Sequence, residues 1–227
     1  MPEVDLDRTS VRELNAQLHA LAPDTNERLW HIRNPKGRHA VAAGLTVPIR
    51  VEVEGHVGYY CAGMNEVANV VIHGQCGPGV AENIMSGTVR VRGNASQSAA
   101  ASGQGGLVVI EGDASARCGI SIKGVDIVVA GAVGHMSAFM AQAGRLVICG
   151  DAGADLGDSI YEAEIFVGGE VGRLGADCVE KEMTDEHRTR LAGLLARAEI
   201  TADAGRFRRF GSARRLYNFH VDHADSY

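Results

Sequence analysis

The sequence predicts an all-β fold, a right-handed parallel β-helix of about seven 19-residue coils with short flanking helices. Three observations carry that expectation. Glycine recurs at an invariant spacing of 19 residues, as Gly55, Gly74, Gly93, Gly112, Gly131, Gly150 and Gly169. A short aliphatic segment precedes each of these glycines, and a column of very small residues follows seven positions later. A fixed period near 20 marks a chain built from stacked copies of one unit.

The aliphatic segments run from RVEVE (50–54) to EIFVG (164–168). Four residues before the glycine stand Val51, Val70, Val89, Val108, Ile127, Leu146 and Ile165. Two residues before it stand Val53, Ile72, Val91, Ile110, Val129, Ile148 and Val167. All are aliphatic and all but Leu146 are β-branched, which is period-2 burial with strong strand propensity. The glycine then turns a corner, where the backbone needs either positive φ or close approach to its neighbour. The next position is mostly polar, as a solvated turn should be. Seven residues past the glycine come Ala62, Ala81, Ala100, Gly119, Ala138, Gly157 and Ala176, an inward corner without room for a larger side chain. A second, weaker strand is expected after it, as in Ile120–Ile122 and Ser159–Tyr161. A left-handed β-helix would show a subperiod of six within a total of 18. The period of 19 without that subperiod favours the right-handed form, and the calcium-binding nonapeptide repeat is absent.

The repeat divides the chain into an N-terminal helix and cap (1–49), the β-helix (50–178), and a C-terminal helix with a basic, aromatic tail (179–227). Ser10 to Glu13 reads as a capping box opening a helix with Val11, Leu14, Leu18 and Leu21 on one face. The stretch around Trp30 and Pro35 looks irregular. Thr184 to Ile200 reads as a second helix with Leu191, Leu194 and Leu195 apolar. A solenoid must cover its open ends, so capping is the simplest role for both flanks.

The 227 residues carry a net charge of −6 and five cysteines. No apolar run is long enough to span a membrane and no signal-peptide pattern opens the chain, so a cytoplasmic protein without a membrane partner is expected. The odd cysteine count fits a reducing compartment. Cys61 and Cys118 share a column three coils apart, about 14 Å at the strand spacing, beyond disulfide or cluster reach. No metal or cofactor site is therefore expected in this chain.

Catalytic β-helices line a groove with acidic and basic residues from neighbouring coils. No such column exists here. The residues just before the glycines include Glu54, His73, Arg92 and Glu111, of which Arg92 and Glu111 should form a surface ion pair. His73 beside Arg92 reads as a surface histidine before a functional one. No catalytic residue is assigned.

Two features point outward. Three residues before the glycines, on the face that should be wet, lie Val109, Val128, Val147 and Phe166. Such a stripe is an interface in the assembled protein or is covered by the C-terminal helix folding back. The segment 206–216 carries Arg208, Arg209, Arg214 and Arg215. It reads as an electrostatic arm on an acidic partner subunit, or as a solvated tail. The negative net charge and the lack of a basic stripe argue against nucleic acid.

The glycine run Gly150-Asp-Ala-Gly153-Ala-Asp-Leu-Gly157, with its near copy from Gly169 to Gly175, resembles the GXGXG domain at the C-terminus of the glutamate synthase large subunit. The resemblance covers residues 50–178; Ser96 and Ser115 depart from the glycine pattern but stay small. Stand-alone relatives of this kind occur in formylmethanofuran dehydrogenase and in methylamine–glutamate N-methyltransferase (N-methylglutamate synthase). The ending Phe210-Gly-Ser-Ala-Arg-Arg-Leu-Tyr-Asn-Phe is most similar to the middle subunit of the latter. The resemblance implies a spacer without catalytic residues. Its partners would be a glutamine-amidotransferase-like subunit and a glutamate synthase-like flavoprotein holding FMN and an iron–sulfur cluster. The competing expectations are a subunit of a formylmethanofuran dehydrogenase or a glutamate synthase-like complex, and a free-standing β-helix enzyme acting on carbohydrate.

Overall fold

The computed structural model describes residues 1–214. Its strands are β1 (Glu3–Asp5), β2 (Leu29–Arg33), β3 (Arg50–Glu54), β4 (Asn69–Ile72), β5 (Thr88–Val91), β6 (Leu107–Ile110), β7 (Lys123–Val129), β8 (Ala143–Ile148), β9 (Glu164–Val167), β10 (Cys178–Lys181) and β11 (Arg208–Ser212). Two helices flank them, α1 (Val11–His19) and α2 (Asp185–Arg197). One sheet joins every strand in the order β1 through β9, then β11, then β10. The protein is a parallel β-solenoid of about seven turns.

Strands β3 to β9 pair in parallel with an offset of 19 residues. Val51, Val70, Val89, Val108, Ile127, Leu146 and Ile165 therefore lie directly above one another. The column from Val53 to Val167 does the same one step along, and both columns are fully buried. The stretch around Trp30, expected to be irregular, is β2. It pairs Trp30 with Val51 and Ile32 with Val53 at an offset of 21, which hides it from a search at period 19. Val4 of β1, with Leu14 and Leu18 of α1, closes this end of the core. Helix α1 starts with the expected capping box, Ser10 Oγ accepting from the Glu13 amide while Glu13 accepts from the Ser10 amide.

The second strand of each coil is not there. Ile120 and Ser159 lie in turns, and the second ladder is a row of single bridges two residues past each glycine, from Val57–Cys76 to Ala152–Val171. What replaces the strand is a run of left-handed residues. In six consecutive coils the fifth, seventh and ninth residues after the glycine all have positive φ, as in Ser98 (59°), Ala100 (55°) and Ser102 (55°). Left-handed backbone costs a non-glycine residue roughly 1–2 kcal/mol. The alternation compensates by aiming successive amides in opposite directions. Ser98 and Ser102 donate to Ala116 and Ile120 of the coil after, whereas Ala100 donates to Val80 of the coil before. No side chain beyond methyl fits the buried middle position, and it must also tolerate φ near 55°.

The corner glycines serve close approach rather than positive φ; of the seven, Gly55 alone has φ in the left-handed half. A Cβ on Gly74 would stand 2.6 Å from the carbonyl of Gly55, and one on Gly131 would stand 2.8 Å from that of Gly112. The next residue is more than a wet turn. Asn94, Asp113 and Asp151 each accept, through Oδ1, the amide of the equivalent residue one coil on, at 2.8–2.9 Å. Among the described residues no helix is long and apolar enough to cross a membrane.

Gly74→Ala forces backbone against backbone and is expected to cost about 1–3 kcal/mol in urea unfolding, as are Ala100→Leu and Ala138→Leu, which overpack the left-handed column. Gly193, in α2 with open space around its Cβ position, serves as the contrast. Gly193→Ala should raise stability by about 0.5–1 kcal/mol.

Candidate functional site

With the interior filled by side chains, the chemistry available to a partner lies on the outer face of the sheet. That face is divided. Its C-terminal part carries the row Val109, Val128, Val147 and Phe166, and α2 lies across it. Thr184 caps the helix by accepting the His187 amide, while His187 Nδ1 accepts the Thr184 amide at 3.2 Å. Leu191, Leu194, Leu195 and Ala198 then pack with Phe207 against the apolar row and Leu107 as a second core, separate from the interior. The four stripe residues are at most 1% exposed. Their cover is this chain's own helix, so they present no surface to a partner.

Charged residues ring that seam. At one end Glu164 Oε1 lies 3.1 Å from Arg209, 3.5 Å from His187 and 3.7 Å from Arg190. Midway, Asp126 lies 2.9 Å from Arg145 and 3.5 Å from Arg197. At the far end Arg90, nearly buried, donates to the Ala198 carbonyl at 2.7 Å and to Glu111 at 2.8 Å, and pairs with Glu199 at 3.2 Å. Burial raises the Asp126 carboxyl above its ordinary value despite the pull of Arg145 and Arg197.

The described part of the basic tail, residues 206–214, also closes on its own chain. Arg208 sits 5.5 Å over the Phe210 ring and 3.6 Å from Glu180. Arg209 is held by Glu164, and Arg214 meets Asp177 at 2.6 Å. Strand β11 runs antiparallel between β9 and β10, and Phe210 pairs with Ile165 to continue the inward column. This corrects the reading of a free arm reaching for an acidic subunit: the acidic partners of Arg208, Arg209 and Arg214 are intramolecular. Arg215 lies outside the described residues. The cap at this end is thus the pair β11 and β10, with β10 outermost, and α2, expected as a cap, is a strap along the side.

The N-terminal part of the outer face stays open. There Glu52 Oε2 lies 2.5 Å from His73 Nε2, and Glu52 Oε1 accepts from Arg50 Nε at 2.5 Å. Burial pushes the Glu52 carboxyl up, but the hydrogen bonds from His73 and Arg50 outweigh it and leave the pKa below the usual range. The expected ladder pair forms next to it, Arg92 to Glu111 at 2.5 Å. Beside them, strands β3 to β5 and the end of α2 form a cleft of about 300 Å³, lined by Arg50, Asn69, Thr88, Arg90, Arg92, Arg197 and Glu199 over Val70, Val71 and Leu107. Reading the sequence did not reveal it, because Arg197 and Glu199 arrive from more than 100 residues away.

The arrangement is ionic, and the thiols lie apart from it. Burial pushes the thiols of Cys61 and Cys118 up to about 12 and those of Cys149 and Cys178 up to about 11, so all four stay protonated at neutral pH. Among the described residues no group of three His, Cys, Asp or Glu side chains is placed to hold a metal ion.

The fold and this face define a β-solenoid protein with its own helix strapped along the sheet. Over 228 residues the chain is 58% identical to a protein named GlxC from Rhizobium meliloti (strain 1021), with 100% of each chain covered. The chain belongs to the GlxC family. No family profile matches it.

Glu52 and Asp126 should titrate with opposite effect on stability. The lowered Glu52 pKa contributes stability above its ordinary value of 4.5, lost as pH falls through the folded value. In urea melts the parent should lose ground to Glu52→Gln on acidification. The raised Asp126 pKa contributes below 3.8 and is lost as pH rises through the folded value, so the parent should lose ground to Asp126→Asn as pH is raised from the acid end through that value. Phe166→Ala should cost about 3–5 kcal/mol by emptying the seam under α2.

Proposed function

We propose that the chain is a non-catalytic spacer subunit of a glutamate synthase-like complex, in particular of a cytoplasmic methylamine–glutamate N-methyltransferase. That enzyme makes N-methyl-L-glutamate and ammonia from methylamine and L-glutamate. In this reading the chemistry belongs to the neighbours. A glutamine-amidotransferase-like subunit and a glutamate synthase-like flavoprotein flank the solenoid, and the flavoprotein carries FMN and the iron–sulfur cluster. The sequence support is the resemblance of the 19-residue glycine repeat to the GXGXG domain, together with the ending from Phe210.

One structural observation carries the proposal. Seven rungs stack in strict register around inward columns of aliphatic side chains and left-handed alanines. Such a body transmits position between surfaces, which suits a brace.

The test is purification of the tagged chain from its own host at moderate salt, mass spectrometry of what elutes with it, and assay of N-methylglutamate formation. Co-elution of the amidotransferase-like and flavoprotein subunits, with turnover in that fraction and none by the chain alone, is expected. Elution as a free 24.0 kDa chain, or turnover by the isolated chain, would overturn the proposal.

A further inference from the structure

We infer that the cleft between the end of α2 and strands β3 to β5 is a docking site for an acidic segment of a partner protein. Its carboxylates are received by Arg50, Arg92 and Arg197. The inference deepens the spacer reading, on which it rests for the existence of a neighbouring subunit.

Positive charge faces outward here. The chain is acidic as a whole, yet this cleft presents cations. The side chains of Arg50, Arg92 and Arg197 are 56%, 44% and 58% exposed, whereas those of Glu52 and Asp126 are each 10% exposed and that of Glu111 is 25% exposed. The carboxylates that balance the arginines sit beneath them. Glu199 is the exposed acid at the rim, and Arg90 holds it at 3.2 Å.

Each exposed guanidinium also has donors to spare. Arg50 engages Glu52 through Nε, which leaves both terminal nitrogens without a partner among the described residues. Arg92 uses Nη1 on Glu111, and Arg197 uses Nη1 on Asp126. Terminal nitrogens of a guanidinium match the two oxygens of a carboxylate, and such charge-assisted pairs are shorter and stronger than neutral hydrogen bonds. Asn69 and Thr88 line the same cleft and add an amide and a hydroxyl. A peptide segment suits this mixture better than nucleic acid. A nucleic-acid backbone carries a charge at every nucleotide and cannot avoid Glu199, whereas a segment of spaced carboxylates can place each charge on one arginine.

The probe is a fluorescein-labelled hexaglutamate peptide, titrated by anisotropy into the full chain at low salt. Salt should weaken binding, and hexaglutamine should bind at least about fivefold more weakly. The triple variant Arg50→Gln/Arg92→Gln/Arg197→Gln should lose about fivefold or more in affinity, while Arg117→Gln on another face binds as the parent does. Arg197→Gln alone changes one exposed helix residue, so its loss of affinity is read without risk to the fold. Equal binding by parent and Arg197→Gln, no hexaglutamate binding by the parent, or equally tight binding of a thymidine dodecamer would each overturn the inference. If no subunit co-purifies with the chain, the spacer reading fails while the titration still decides the cleft. If subunits co-purify but the triple variant retains them as well as the parent does, the cleft assignment fails alone.

Discussion

The approach of one backbone corner to the next is the constraint on which the rest of the solenoid depends. At the repeated glycines successive coils come so close that a methyl group would overlap the carbonyl below, as between Gly74 and Gly55. Because the corner permits no other spacing, strands β3 to β9 keep one register and the inward columns remain continuous. Apolar burial then supplies the driving force, and the amides lock it. The left-handed run at the other side of each coil is tolerable only in this setting, since its amides find carbonyls above and below. An isolated coil would have neither the buried columns nor those acceptors, so stability here belongs to the stack.

The outer face repeats the same logic with a different partner. Sheets exposed on one side normally alternate apolar and polar residues, and the row from Val109 to Phe166 breaks that rule because a helix covers it. Where the row first turns polar, at Arg90, the helix ends. Arg90 marks the boundary, since it takes the Ala198 carbonyl on one side and Glu111 on the other. The positions of charge are thus consequences of where α2 stops.

How much was legible follows from the physics of each element. The aliphatic columns and the glycine corners were visible because both recur every 19 residues. Strand β2 was not, since its offset of 21 removes Trp30 and Ile32 from the phase. The left-handed positions were half visible. Alanine and glycine at the middle position betrayed a tight corner, but Ser98, Arg117 and Met136 beside it carry no mark of positive φ. Helix α2 could be found from its leucines, yet amphipathicity names a buried face and not what buries it. The apolar stripe stood open between two covers for that reason. The tail misled because arginines beside phenylalanine look like an arm until Glu164, Glu180 and Asp177 are seen within reach. The cleft was beyond reading, because it joins residues 50–107 to residues 197 and 199.

Helix α2 has 13 residues, about 20 Å of axis. The four rungs from β6 to β9 span three intervals of about 4.8 Å, roughly 14 Å between outermost backbones and about 19 Å with their own width. Strap and strapped surface therefore agree in length. A homologous chain could gain or lose a whole winding ahead of β5 and keep every clasp intact, Arg90 to Ala198 included, changing its overall reach by a single graduation. The same edit behind β5 would leave the clasp a full winding too short or too long. Evolution of this rod's dimensions is accordingly expected to be one-sided, like a ruler that can be extended only from its unbuckled end.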